Sequence, residues 1–194
     1  MTDATTADAV ATNGGRTRSP QRWWWVAGGV FLAIAVFNLS VWWPVSQALG
    51  SDDRNSGFGL HAYRSALVHP RDITLDLVTV DSAATIDLTR GLFQAAEALK
   101  DREFGEVTLA RGGKAVFVMS GADFKELGAS VAAGENPIYL LRTLPAKLTL
   151  PDGRRAFGSW SGGWLGVLSG QMDDLNAFGP AWANGKQPVP SSAL

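Results

Sequence analysis

A serine in the C-terminal third of the chain is a candidate nucleophile. Ser161 lies in the stretch SWSGG, in which Ser159 replaces the first glycine of the G-x-S-x-G motif that exposes a serine at a strand-to-helix turn. The serine would need a histidine as its base, and the two histidines of the chain, His61 and His69, lie far upstream. In the hydrolase fold that uses this motif the histidine follows the serine. A serine that caps the next helix is therefore the better interpretation, and Ser161 remains a weak catalytic candidate.

The same histidines could join Asp72 and Asp76 at a metal ion, since imidazole and carboxylate are common ligands. Their spacing matches no compact metal motif, so we expect solvated side chains and no metal or other cofactor. The adjacent carboxylates of Asp173 and Asp174 would point about 100° apart on a helix and do not form a catalytic pair by themselves. The chain has no cysteine, which excludes disulfides, thiol catalysis and thiolate zinc sites.

The basic segment Arg111–Lys114 contains two glycines but lacks the spacing of a phosphate-binding loop. It has the composition of a solvated hairpin tip. The formal net charge of the chain is -1, which gives no overall basic field to hold nucleic acid. We therefore expect no nucleic-acid partner.

Glycines and tryptophans form the main candidate interaction face. Gly162, Gly166 and Gly170 follow one another at intervals of four, a pattern that lets another backbone approach a helix closely. Trp160 and Trp164 could stack on a sugar or lie at a lipid interface. The sequence predicts that a helix begins near Gly162, with the glycines opposite an apolar stripe.

That stripe is defined by large apolar residues at intervals of three and four, which is typical of an amphipathic helix that packs on a core. Its members are Trp164, Leu168, Met172, Leu175, Phe178 and Trp182. Core packing is the favoured explanation of the tryptophans, and exposed tryptophans at a carbohydrate or lipid are the alternative.

The elements that must position these residues alternate between strand and helix. Residues 73–80 alternate apolar and polar side chains, which predicts a strand, and residues 85–101 have helical periodicity. Gly112 and Gly113 separate two further strands as a tight hairpin turn. In the next segment, Ser120 is expected to cap a helix that Gly128 ends.

Two more short strands are predicted before the last helix. Residues 138–144 could be strand or helix, with strand favoured, and residues 148–157 contain a Pro-Asp-Gly turn between strands. Upstream, residues 60–67 could form a short helix. The order predicts an α+β fold, with a mainly antiparallel sheet and helices on one face.

An apolar segment near the N-terminus predicts a single transmembrane helix. Charged residues are absent from Trp23 to Ser51, and tryptophans mark both ends of the apolar run, as in the aromatic belts of membrane spans. The expected interfacial residues are Trp23, Trp24, Trp25, Trp42 and Trp43. Asn38 and Ser40 should bond to carbonyls of their own helix.

The flanking charges predict the orientation of this segment. Arg16, Arg18 and Arg22 precede it, whereas Asp52 and Asp53 follow it, so the positive-inside rule places the N-terminus in the cytoplasm. The stretch Ser46–Ala48 has the small-x-small form of a signal-peptidase cleavage site. The apolar run is longer than the 7–15 residues typical of a signal peptide, so an uncleaved signal anchor is favoured.

Five segments follow from these patterns. A disordered cytoplasmic tail (1–22) precedes the transmembrane signal anchor (23–48) and a juxtamembrane connector (49–72). An extracytoplasmic α+β domain (73–183) and a flexible tail (184–194) complete the chain.

The function predicted from the sequence is that of a single-pass membrane protein whose extracytoplasmic domain binds or assembles. Its expected partners are the bilayer and either another protein or a second copy, and its expected location is a bacterial inner or plasma membrane. The alternatives are an anchored hydrolase that uses Ser161, and a carbohydrate or lipid sensor that uses exposed tryptophans. Enzymatic activity is thus left open, with a non-enzymatic role favoured.

Overall fold

The computed structural model describes residues 20–64, 70–81, 84–160 and 163–188. Contacts divide the chain into two units, of which the second begins at Ile34 and contains all the strands. Five α-helices and five strands are defined in the described residues, with short 3-10 turns at Asp53–Gly57 and Leu144–Lys147. The helices are α1 (Pro20–Gly50), α2 (Thr85–Ala98), α3 (Gly121–Ala132), α4 (Pro137–Thr143) and α5 (Trp164–Asn184), and the strands are β1 (Phe58–Arg64), β2 (Ile73–Val80), β3 (Glu106–Arg111), β4 (Lys114–Ser120) and β5 (Leu148–Thr149).

The sheet is mixed, and its strands lie in the order in which they occur along the chain. Strands β2 and β3 are parallel, with Leu75 opposite Leu109, and the other three pairs are antiparallel. The parallel pair follows from the connection, because the long crossover through α2 returns the chain to the same end of the sheet. The fold is therefore α+β, as predicted.

One core joins the sheet to the helices. In β2, Ile73, Leu75 and Leu77 alternate with polar residues and are fully buried. The Phe178 ring of α5 lies 5.5 Å from the Phe117 ring of β4, and the Trp182 indole donates to the Ala110 carbonyl at 2.9 Å. The C-terminal half of α5 is thus anchored on the sheet by aromatic packing and by one satisfied indole N–H.

The sheet begins earlier in the chain than residue 73. Strand β1 lies inside the segment 49–72 that the sequence describes as a connector, and it replaces the short helix considered for residues 60–67. Phe58, Leu60 and Ala62 are buried with a period of two. The physical reason is pairing with β2, which satisfies the backbone of β1 and covers its apolar face.

The end of α1 belongs to the same core. Val41, Val45 and Leu49 are buried and contact the core cluster of the domain. Asp52 then caps the following 3-10 turn by accepting the Arg54 N–H. The helix therefore continues into the folded domain, with no flexible connector directly after residue 48.

Two helix boundaries differ from the sequence prediction. Residues 137–143 form α4 and not a strand, because the Asn136 side chain accepts the Ile138 N–H and Pro137 occupies the first helical turn. Helix α3 continues through Gly128 to Ala132. A methyl group at Gly128 would overlap with the Ala96 carbonyl, so this glycine permits close packing of α3 on α2.

Two local predictions are confirmed. Gly112 and Gly113 both have positive φ, 57° and 80°, in the turn between β3 and β4, as a tight hairpin requires. The Ser120 side chain accepts the Asp123 N–H at 3.0 Å and caps α3.

Candidate binding surface

The segment before α5 is held to that helix by a tryptophan and a carboxylate. The Trp160 indole N–H donates to the Asp174 carboxylate at 2.6 Å. Its ring covers Gly170, where a methyl group would overlap with the indole. Gly170 is therefore packed by a side chain of its own chain, and no second backbone lies against it within the described residues.

Burial changes the ionisation of this carboxylate. Asp174 is almost inaccessible to solvent, and burial raises its pKa above the ordinary value of an aspartate, while the hydrogen bond from Trp160 opposes that shift. Asp173 raises it slightly further and is itself exposed. The two adjacent carboxylates thus have different environments, as expected for neighbours on a helix.

The first two turns of α5 carry exposed apolar side chains. Trp164 is 74% exposed and Leu165 is 64% exposed, and nothing lies within 4 Å of the place where Gly166 would carry a methyl group. The predicted stripe therefore packs on the core only from Leu175 onward. The expectation that the core covers Trp164 is wrong, because the first turn of α5 does not pack on the core.

A groove bordered by α2, α4 and α5 is a second apolar feature of this part of the domain. Its volume is about 540 Å³. Ile86 of α2, Ile138 of α4 and Met172 of α5 lie on its walls, and each is more than a third exposed. The other residues that line the groove are Ala84, Thr85, Thr89, Leu141, Leu175 and Asn176. We call the groove together with Trp164 and Leu165 the α5 surface.

The α5 surface contains side chains that can bind by apolar contact and by a few hydrogen bonds. Its polar members are the Thr85 and Thr89 hydroxyls and the Asn176 amide, and the Thr89 hydroxyl already donates to the Thr85 carbonyl. Carboxylates and imidazoles, which would act as general acids or bases, are not among the residues that line it. Such a surface suits recognition of an apolar ligand or segment.

Sequence reasoning overlooked the α2 and α4 walls of this groove. The signal at α4 was present as Asn136-Pro137, which begins a helix. The exposed position of Ile138 could not be read from the sequence, because it depends on how α4 packs on α5.

The predicted catalytic and glycine residues are only partly described. Ser161, Gly162 and His69 lie outside the described residues. His61 is an exposed residue of β1. Across residues 20–64, 70–81, 84–160 and 163–188, no group of three or more histidine and carboxylate side chains could hold a metal ion.

The other acidic candidates have structural contacts. The Asp76 carboxylate is buried in β2 and accepts the Gly113 N–H at 2.8 Å. Tyr63 on the neighbouring strand has a raised pKa, mainly because of burial and secondly because of Asp76. Asp72 accepts the Glu106 N–H at 3.0 Å. These carboxylates therefore secure turns and strand ends.

The basic hairpin tip also has a structural role. The Arg111 guanidinium donates to the carbonyls of Leu77, Val78 and Ala183 at 2.6–2.8 Å. It ties the hairpin to β2 and to the end of α5. Lys114, by contrast, is exposed.

A carboxylate joins the end of α1 to α2. The hydrogen bonds from Arg54 lower the pKa of Asp52 to about 2, and the Gln94 amide adds a further donor. The Asn55 side chain spans the same junction by donating to the Leu49 carbonyl and to the Gln94 amide oxygen. These contacts hold the C-terminal end of α1 against α2.

Helix α1 is the candidate membrane segment. Within the described residues it is the one helix long and apolar enough to cross a membrane, judged by length and composition. The candidate span is Trp24–Gly50, and an 18-residue stretch of it has a mean hydropathy of 1.8. Trp24, Trp25, Trp42 and Trp43 are all exposed; Trp23 lies in α1, and its side chain is outside the described set.

Polar residues of α1 serve both the helix and the domain. As predicted, Asn38 and Ser40 donate to the carbonyls of Ile34 and Phe37. The Asn38 amide oxygen in addition accepts the Arg64 N–H at 2.8 Å. Contacts with the domain therefore begin near residue 38, inside the predicted span.

Comparison with known proteins gave no relative: no family model, curated protein or solved structure matches this chain.

Proposed function

We propose that this chain is a single-pass membrane protein whose domain binds an apolar protein segment at the extracytoplasmic face of the membrane. The observation that carries the proposal is the exposure of large apolar side chains on the α5 surface. Three large apolar side chains of this surface are 64–74% exposed, namely Trp164, Leu165 and Ile138, although the domain has a well-buried core. Contiguous apolar patches of this kind mark interaction sites.

The shape of the α5 surface favours one kind of occupant. Two helices and the short α4 border an elongated apolar groove with few polar groups. The apolar face of an amphipathic helix fills such grooves with side chains at intervals of three and four residues. The proposed occupant is therefore an amphipathic helix of a partner protein.

The membrane location rests on α1 and on the flanking charges. A helix with exposed tryptophans near both ends of its apolar run is typical of a membrane span. Three arginines precede this helix, and Asp52 and Asp53 follow it. By the positive-inside rule, this distribution of charge favours a domain outside the cytoplasm. Val41 and Val45, in the C-terminal part of the candidate span, are buried in the core of the domain.

The absence of cysteine from the chain permits a sharp test with single-cysteine variants. Leu165→Cys and Ile138→Cys report on the α5 surface, and Lys114→Cys on the hairpin tip is the matched exposed control. All three should react equally fast with a membrane-impermeant maleimide in the purified full chain. In native membranes, an occupant bound to about nine tenths of the protein should slow labelling of the first two about tenfold.

Three results would decide against parts of this proposal. Equal labelling of all three variants in native membranes refutes a covered α5 surface. Protection of Leu165→Cys by pure lipid vesicles alone assigns Trp164 and Leu165 to the bilayer, which is the lipid-interface function predicted as an alternative. Labelling of Lys114→Cys only after spheroplasts are lysed overturns the orientation.

A further inference from the structure

The membrane-facing end of the domain carries two arginines that lack acidic partners. Arg64 ends β1, and Arg102 follows α2. Within the described residues neither makes an ion pair with a carboxylate, whereas the nearby Asp101 and Glu103 are paired with Lys100 and Lys125. Partial burial, and secondly the charge of Arg102, lower the pKa of Arg64. The two arginines contact the same turn of α1, since Arg64 lies over the Phe37 ring and Arg102 donates to Ser40.

The two guanidinium groups are fixed in position by α1. The Arg64 guanidinium lies 4.3 Å from the centre of the Phe37 ring and 5.4 Å from that of Phe104. One of its terminal nitrogens donates to the Pro70 carbonyl at 2.7 Å. Arg102 donates to the Ser40 hydroxyl at 3.3 Å. Both side chains are therefore held beside α1 at residues 37–40.

The contacts of these arginines leave part of their hydrogen-bonding capacity unused. A guanidinium has five N–H donors. The Arg64 Nε is buried without a hydrogen-bond partner, and a single donated bond is found for Arg102 among the described residues. Two guanidinium groups on one turn of α1, with terminal N–H donors that have no partner among the described residues, match the oxygens of a phosphate, which arginine binds in bidentate geometry.

The position along α1 indicates where this phosphate comes from. Exposed apolar side chains continue along α1 to Trp43, and Phe37 and Asn38 both contact Arg64 of the domain. Trp24 to Phe37 spans about 20 Å of helix, less than the roughly 30 Å of a hydrocarbon core. With Trp42 and Trp43 at the interface, arginines beside residues 37–40 therefore lie inside the hydrocarbon core, within about two helical turns of the headgroup layer, where cationic side chains draw phosphates toward them.

We propose that Arg64 and Arg102 bind the phosphate of one membrane phospholipid and thereby fix the seating of the domain on the bilayer. The proposal rests on the membrane location of α1 proposed above. The ligand is a phosphodiester with two acyl chains, whose chains would lie along the exposed apolar side of α1. The glycerol phosphate group common to phospholipids is recognised, and the rest of the headgroup is left free.

The test uses the full chain extracted in mild detergent, with retained phospholipid measured by native mass spectrometry. Arg64→Gln and Arg102→Gln are the test variants, and Arg154→Gln, an exposed arginine in a turn paired with Asp152, is the control. Each lost charged hydrogen-bond pair should weaken retention about 10- to 100-fold. Arg102→Lys keeps the charge but loses the bidentate geometry, so it should fall between wild type and Arg102→Gln.

Two controls separate this inference from the proposals on which it depends. Alkaline carbonate extraction reports on α1: release of the wild-type chain from membranes refutes the anchor itself. If the chain stays in the membrane and the glutamine variants retain as much phospholipid as Arg154→Gln, the phosphate site is refuted and the anchor stands. Thermal unfolding shows whether Arg64→Gln is misfolded. If it is, the result for Arg102→Gln decides, because in the wild-type chain the Arg102 guanidinium makes fewer contacts than that of Arg64.

A competition experiment separates the two sources of phosphate. Millimolar inorganic phosphate should not displace the retained phospholipid, because the lipid also gains from its acyl chains on α1. Displacement at that concentration overturns the assignment to a phospholipid.

Discussion

Gly170 and Gly166 of α5 should respond in opposite directions to the same substitution. A methyl group at Gly170 would overlap with the Trp160 indole, whereas nothing lies within 4 Å of a methyl group at Gly166. In a helix, alanine is favoured over glycine by about 0.8–1 kcal/mol. Gly166→Ala should therefore stabilise the domain by about 0.5–1 kcal/mol, the lower value reflecting its place in the first turn.

Gly170→Ala loses more than it gains. The indole must move, and its hydrogen bond to Asp174, 2.6 Å long, is then broken. A hydrogen bond to a charged group contributes about 1.5–3 kcal/mol. After the gain in helix propensity is subtracted, Gly170→Ala should destabilise the domain by about 0.5–2 kcal/mol.

Urea unfolding of the full chain in detergent micelles, followed by circular dichroism, measures both variants. A nearly equal denaturant slope for wild type and variants shows that the difference lies in stability and not in the extent of unfolding. The reasoning is refuted if Gly170→Ala is as stable as Gly166→Ala, because the indole would then not be held against the helix. Trp160→Phe in the Gly170→Ala background provides a further check, since the hydrogen bond is already absent and its removal should cost little.

Three other substitutions test the remaining contacts. Because burial raises the pKa of Asp174, its contribution to stability is complete below the ordinary aspartate range, where the carboxyl is protonated and neutral, and is lost as pH rises through the raised pKa and the buried group must ionise. Asp174→Asn should therefore gain stability relative to wild type at pH 7 and lose that advantage toward pH 4, and an advantage independent of pH would refute this assignment. Val45→Ala should destabilise the domain by about 1.5–2.5 kcal/mol in urea unfolding, because Val45 is buried in the core. Val36 is exposed, so Val36→Ala should change the free energy of unfolding by less than about 0.5 kcal/mol. Equal effects of the two substitutions would contradict the packing of α1 on the core. Gly128→Ala should cost about 1–3 kcal/mol by the same measurement, because its methyl group would press α3 away from the Ala96 carbonyl, and a stabilised variant would show that the two helices are not in close contact.

Local signals determined the parts of the fold that depend on a few neighbouring residues. The glycines of the hairpin turn adopt positive φ wherever the hairpin lies, and Ser120 caps α3 through an N–H three residues away. The helical period of α5 likewise showed which of its side chains share a face. The α+β class followed from the order of such elements.

Elements that depend on distant partners could not be predicted in this way. Residues 58–64 become a strand because β2 covers them, and Gly128 lies within α3 because α2 approaches it closely. The helical period of α5 shows which side chains share a face, but it could not show that this face packs on the core only from Leu175 onward and that Trp164 is exposed. The exposure of Ile138 on the groove wall and the positions of Arg64 and Arg102 at α1 also depend on contacts between segments far apart in the chain.

The sequence by itself determined that the chain has one apolar helix, one α+β domain and a glycine- and tryptophan-rich segment before the last helix. The tertiary structure alone decided that Gly170 is covered by Trp160, that α1 ends inside the core and that Arg64 and Arg102 contact the same turn of α1. The physical reason is range: backbone preferences and caps act over a few residues, whereas burial and charge pairing depend on contacts between segments far apart in the chain.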